Sequence, residues 1–247
     1  MKTINISTVF RALAVTSMLS LSSTSWALTI PTSDAVQGVG VGAGLQGDFW
    51  HTPSGATDWY NIAPTHTYLN AHSSTPDGTF TATIIGYGAR DSDPIQTFLQ
   101  ADGSSYIGLN ANTADSILRL SGFIDITSPS TISFKSGHDD CVQLKIGSEI
   151  LYSAGINDVA VNSATFTIAG YYPIELVYSD TYFPPPTGSG SLGLTMDTGS
   201  GYQTVPTSIL FENVQVQPAP EPTTMLLMGI GVSGLAFIRR RMKNSKI

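Results

Sequence analysis

Thr131-Ile132-Ser133-Phe134-Lys135-Ser136-Gly137-His138-Asp139-Asp140-Cys141-Val142-Gln143-Leu144-Lys145-Ile146 alternates apolar and polar side chains on both flanks of a short polar turn. Successive side chains of a strand point to opposite faces, so Ile132 and Phe134 share one face, and Val142, Leu144 and Ile146 share another. Gly147-Ser148 then offers a hairpin turn into Glu149-Ile150-Leu151-Tyr152. The same period returns further on: Ile174 and Leu176 within Tyr172–Tyr178, then Leu192, Leu194 and Met196, and finally Ile209-Leu210-Phe211 with Val214 and Val216. Outside the two ends, no run of twelve or more residues keeps a helical period. The expectation is an all-β domain, an antiparallel β-sandwich with short connections.

The first half is less regular. Gly38-Val39-Gly40-Val41-Gly42-Ala43-Gly44 reads as a flexible lead before a first strand, Leu45-Gln46-Gly47-Asp48-Phe49-Trp50. Helix and strand signals are both weak from Thr52 to Ala71. Phe80–Tyr87 reads as one strand, and Pro94–Leu99 as a short helical turn. Tyr182-Phe183-Pro184-Pro185-Pro186-Thr187-Gly188 reads as a loop.

Charge is distributed unevenly along the 247 residues. All eighteen acidic residues lie between Asp34 and Glu221 with only four basic ones (Arg90, Arg119, Lys135, Lys145), a net of −14 for that region. Such a body repels phosphate backbones, so no nucleic acid is expected as a partner. The single cysteine, Cys141, allows no internal disulfide and is expected as a small buried residue at the start of a strand.

The ends read as address labels. Lys2 and Arg11, the apolar run Ala12–Leu21 and the small-x-small site Ser25-Trp26-Ala27 form a secretory signal peptide over 1–27, for cleavage after Ala27 by the secretion machinery. At the other end a proline-rich spacer precedes sixteen uncharged residues, 223–238, at the short limit for a membrane helix. Arg239-Arg240-Arg241 stops that helix and should stay on the cytoplasmic side of the inner membrane. The order Pro220-Glu221-Pro222, apolar helix, arginine cluster resembles the PEP-CTERM sorting signal, and 218–247 is assigned to it. The resemblance implies an exosortase as partner, a transient membrane anchor, and a Gram-negative host that makes extracellular polysaccharide. It places the body at the cell surface or in the extracellular matrix.

Chemical motifs are few. Gly188-Ser189-Gly190-Ser191-Leu192-Gly193 has the letters of a dinucleotide-binding loop, but three prolines precede it and an alternating strand follows, where a phosphate site needs a helix N-terminus. It reads as a flexible loop. No Gly-x-Ser-x-Gly or His-Glu-x-x-His occurs, and His51, His66, His72 and His138 lack metal-ligand spacing. No catalytic residue is expected. Asp139 and Asp140 stand out as adjacent carboxylates at a loop tip: hard oxygen ligands suited to calcium, or an Asx-turn with no metal.

Five segments together resemble the protective-antigen (PA-fourteen) domain: Leu45-Gln46-Gly47-Asp48-Phe49, Gly122-Phe123-Ile124-Asp125-Ile126, the strand into Gly137-His138-Asp139-Asp140, Val142–Gly147, and Ala169-Gly170-Tyr171-Tyr172-Pro173-Ile174-Glu175-Leu176. The resemblance implies a carbohydrate-binding β-sandwich over 44–217, with 28–43 as its lead. It carries Asp139 and Asp140 over as candidate calcium ligands, calcium in turn meeting sugar hydroxyls. Asp180, just past the strand ending at Tyr178, is a further candidate without a motif match. Two positions depart from the family pattern: His138 stands where it has serine, and Cys141 where it has glycine, a residue tolerant of unusual backbone conformations. Trp50, Trp59, Tyr182 and Phe183 are candidate rings for stacking on sugar faces. The expected function is a displayed, non-enzymatic carbohydrate-binding module. A structural component of the biofilm matrix is the alternative, and a secreted glycan hydrolase a third.

Overall fold

The computed structural model describes residues 27–182 and 188–216. The chain enters through β1 (Leu28–Ile30), β2 (Gly38–Ala43) and β3 (Leu45–His51), followed by helix α1 (Ala63–His72). Next come β4 (Gly78–Ala82), β5 (Gly86–Arg90), the single turn α2 (Ile95–Phe98) and β6 (Ile107–Gly108). The central strands are β7 (Ser116–Ile126), β8 (Ser130–His138), β9 (Cys141–Ile146), β10 (Glu149–Ala154), β11 (Val161–Phe166) and β12 (Gly170–Asp180). β13 (Ser189–Asp197), β14 (Gln203–Thr204) and β15 (Leu210–Val216) complete the domain.

Two sheets face each other. One runs β1-β11-β8-β13-β14 with β5 beside β13, and the other β10-β9-β12-β7-β3-β4-β6 with β15 and β2 attached at β7. Every pairing is antiparallel except β1 with β11. The alternating residues meet in the middle: Ile132 and Phe134 from β8 pack with Val142, Leu144 and Ile146 from β9, Ile174 and Leu176 from β12, and Leu192 and Leu194 from β13. Each such side chain contributes roughly 1.5–3 kcal/mol when fully buried, so this layer dominates stability. The sandwich and its alternation are as the sequence implies.

β8 and β9 belong to different sheets, so the aspartate turn crosses the sandwich and does not close a hairpin. β9 is buried on both faces. Its inner face joins the main core, whereas Cys141 on its outer face joins a second cluster with Trp50, Ile117 and Val177, capped by Ile62 and by Leu69 of α1.

Several expectations need correction. The stretch 28–43 is not a flexible lead: β1 pairs with β11 and buries Ile30 completely, and β2 pairs with β15. Close packing, not freedom, selects the glycines there, since a Cβ on Gly40 would lie 2.5 Å from the Phe211 ring. The sandwich therefore begins at Leu28, ahead of Gly44. The Gly-Ser repeat at 189–191 is strand, because it pairs with β5 and continues into the stretch of β13 that pairs with β8 from Leu192 onward. Phe80–Tyr87 divides into β4 and β5, which enter different sheets. Helix α1 buries only Thr65 and Leu69, and so leaves no apolar stripe in the sequence. Trp50 is 1% exposed, with its indole N–H donating to the His72 carbonyl at 3.2 Å, and is unavailable for stacking on a ligand.

Residues 1–26 of the signal peptide lie outside the described residues, as do Phe183, Pro220-Glu221-Pro222, helix 223–238 and Arg239-Arg240-Arg241. Among the described residues no helix is long and apolar enough to cross a membrane.

A candidate acidic cleft

The end of β8, the start of β9, the end of β12 and the start of β13 meet at one end of the sandwich. The register shows why: Ser179 of β12 lies opposite Cys141 of β9, Ser189 of β13 opposite Arg90 of β5, and Leu192 opposite His138 of β8. The residues just beyond these pairs are Asp180, Asp91, Asp139 and Asp140. All four line one cleft of about 310 Å³, with Thr181, Gly188 and Ser189 beside them and Trp59, Tyr60 and Ile156 on an apolar wall.

The turn is locally determined. Asp140 adopts a left-handed backbone, φ 62°, which aspartate tolerates better than most side chains. Cys141 follows with strand pairing and complete burial, so the unusual conformation sits one residue before the cysteine. His138 Nδ1–H donates to the Asp140 carbonyl at 2.8 Å, and the Asp139 N–H donates to the Ser191 carbonyl at 3.0 Å. The Asp140 carboxylate accepts the Thr181 N–H at 2.5 Å, which ties the turn to the end of β12.

Electrostatically the cleft is under-supplied with donors. Asp91 and Asp180 are each 3% exposed and Asp140 5%. Oδ1 of Asp91 and Oδ2 of Asp180 have no hydrogen-bond partner among the described residues, and neither do the nearby hydroxyls of Ser116 and Ser179. The ion pair among the described residues, Arg119 to Asp48 at 2.6 Å, is formed by other residues. Burial, reinforced by Asp91, Asp140 and Asp139, pushes the Asp180 carboxyl up to about 9. Burial also raises Asp140 to about 6 against the opposing Thr181 N–H, with Asp139 and Asp91 adding to the rise. Asp91 is raised by burial and then by Asp139. Burial, followed by Asp140, drives the Cys141 thiol up to about 12, so it is no nucleophile near neutral pH.

Such a pocket has three ways to relieve its charge: retain protons, admit water, or bind a cation. Calcium suits the donor chemistry, since it takes six to eight oxygens from carboxylates, carbonyls and water. Among the described residues no three His, Cys, Asp or Glu side chains are already gathered closely enough to hold a metal, so backbone oxygens or water would have to complete its shell. Asp139, Asp140 and Asp180, named from the sequence, are brought to one site. Asp91 was missed; Arg90-Asp91-Ser92-Asp93 carries no mark of its destination, because only the β5–β13 pairing puts it there. Tyr60 was missed likewise. Trp59 lies at the cleft, whereas Tyr182, 39% exposed, is not part of its described lining.

Residues 218–241 match the PEP-CTERM protein-sorting motif. The chain is marked for export and sorting. In structure, it is similar to the PA14 domain of the MpAFP antifreeze protein, with a TM-score of 0.59, 22% identity and coverage of 75% of this chain and 99% of that one. It is also similar to the PA14 sugar-binding domain of an RTX adhesin, with a TM-score of 0.55, 19% identity and coverage of 70% and 99%. The sandwich is PA14-like. No curated protein matches the sequence.

Proposed function

We propose that this protein is an exported carbohydrate-binding module, sorted by an exosortase to the cell surface or extracellular matrix, which recognises sugar hydroxyls at the acidic cleft without turning them over. The observation that carries the reading is the convergence of Asp91, Asp139, Asp140 and Asp180 on one cleft, with buried carboxylate oxygens left unpaired. Unpaired buried acceptors of this kind call for a ligand rich in positive charge or in donors. Calcium held by Asp139, Asp140 and Asp180 would supply an electrophilic centre for sugar hydroxyls. The chain's own residues contribute the frame: Thr181 N–H orients Asp140, the His138 imidazole fixes the turn, and the bare backbone at Gly190 lets the Asp180 carboxylate pack close, since a Cβ there would come within 2.6 Å of Oδ2. The sugar-binding domain among the similar structures supports this reading.

One observation favours a second reading, a structural matrix component: the carboxylates are not yet gathered at coordinating distances. A glycan array on the purified full chain, run with calcium and with a chelator, separates the two. Saturable binding abolished by the chelator is expected. Silence across neutral and charged glycans would favour the matrix component, and turnover of a glycan would overturn the non-enzymatic assignment.

A further inference from the structure

We infer that Tyr60 is the stacking platform of the acidic cleft and that the cleft selects neutral pyranosides over anionic ones. This rests on the sugar-binding reading above. Tyr60 is 71% exposed, whereas the cleft floor behind it is buried. A large ring held open to solvent on the wall of a cleft is available for an apolar partner.

Its loop, between β3 and α1, is held at several points. Tyr60 N–H donates to Asp58 Oδ1 at 2.7 Å, and Ala63 N–H to Asn61 Oδ1 at 2.9 Å. The Cys141 thiol donates to the Asp58 carbonyl at 3.0 Å, and Ile156 N–H donates to the Trp59 carbonyl at 2.6 Å. Gly155 packs so closely that a Cβ there would stand 2.7 Å from the Tyr60 Cα. Cys141 thus links the aspartate turn to the aromatic loop, and the two walls are positioned relative to each other before a ligand arrives. Such preorganisation lowers the ordering cost of binding.

The two walls have complementary chemistry. A pyranose presents hydroxyls around its rim and a patch of C–H groups on one face. Hydroxyls directed at Asp139, Asp140 and Asp180 would leave that patch for Tyr60 and Ile156. No lysine, arginine or histidine is among the described lining residues, so a single calcium offsets only part of the charge of four carboxylates, and a uronate or sulfated sugar would still meet a net negative cleft.

The test uses the full chain with calcium and a panel of methyl hexopyranosides paired with their uronates. Calcium and sugar affinities are measured for the wild type, Tyr60→Ala and Tyr60→Phe. Tyr60→Ala should weaken sugar binding roughly fivefold or more while leaving calcium affinity within about twofold, and Tyr60→Phe should retain it. Uronates should bind at least about tenfold more weakly than their neutral partners. Unchanged sugar affinity in Tyr60→Ala would overturn the platform, and equal binding of uronates would overturn the selectivity, with the sugar site itself intact in both cases. Wild-type protein that binds calcium but no sugar would overturn this inference together with the reading it rests on.

Discussion

Asp102 and Asp180 are both buried carboxylates, 5% and 3% exposed, placed in opposite surroundings. Asp102 accepts the Thr83 hydroxyl at 2.5 Å, the Tyr87 hydroxyl at 2.8 Å, and the backbone N–H groups of Thr83 and Ile84 at 2.9 and 3.2 Å. It knots β4, β5 and the turn after α2 into the sandwich. Asp180 has an oxygen without a partner, a carboxyl pushed up to about 9, and three further carboxylates around its cleft. A carboxylate kept for structure is surrounded by donors. One short of them, as Asp180 is at Oδ2, stands where a cation or a donor would relieve it.

Substitutions can break that contrast. Asp102→Ala should cost about 3–5 kcal/mol in chemical denaturation, because several buried donors lose their acceptor at once. A loss below about 1 kcal/mol would mean that Asp102 is not the knot described. Asp180→Asn should leave the calcium-free fold within about 1 kcal/mol of wild type, or more stable, while weakening calcium binding at least about tenfold. Equal destabilisation by the two substitutions would erase the distinction between the regions.

Proton linkage sharpens it further. The folded Asp180 carboxyl holds its proton up to about 9, whereas its ordinary value is 3.8. Across that window the folded state binds more protons than the unfolded state, so calcium-free stability falls as pH rises. Melting temperature without calcium should therefore decline from pH 5 to pH 8, and millimolar calcium should flatten the decline. A chelated protein whose melting temperature rises over that range would contradict the assignment.

The smallest effect concerns the turn. Cys141→Gly, which introduces the residue the family pattern has there, should destabilise by about 1–2 kcal/mol, through strand entropy and lost burial. Asp140→Gly should cost about 1 kcal/mol or less, because φ 62° favours glycine there. The reverse order, read by thermal denaturation, would place the strain at the cysteine.

Much of the sandwich was legible because alternation directly encodes which face of a strand is buried, as in Ile132–Phe134 and Val142–Ile146. Its limits were equally physical. The glycines of β2 were read as flexibility because a sequence does not show that Phe211 fills the space above Gly40. Helix α1 stayed hidden because it covers β3 and β9 with only two buried side chains. Within the site, Asp139 and Asp140 announced themselves by adjacency, and Asp180 by ending a strand. Asp91 lies 48 residues before Asp139 in the chain and Tyr60 lies 79 before it, and only strand pairing and loop packing bring them together.

The proposed function turns on calcium held by the unpaired carboxylates of the cleft. Isothermal titration of calcium into the purified full chain at pH 7 tests it most directly, with Asp140→Asn and Asp180→Asn alongside. The account predicts one saturable event, with a heat that varies with buffer ionisation as Asp180 gives up its proton, abolished or weakened at least about tenfold in both variants. No binding at millimolar calcium by a chain shown to be folded would contradict it, and would leave the cleft as a protonated seam in a matrix protein.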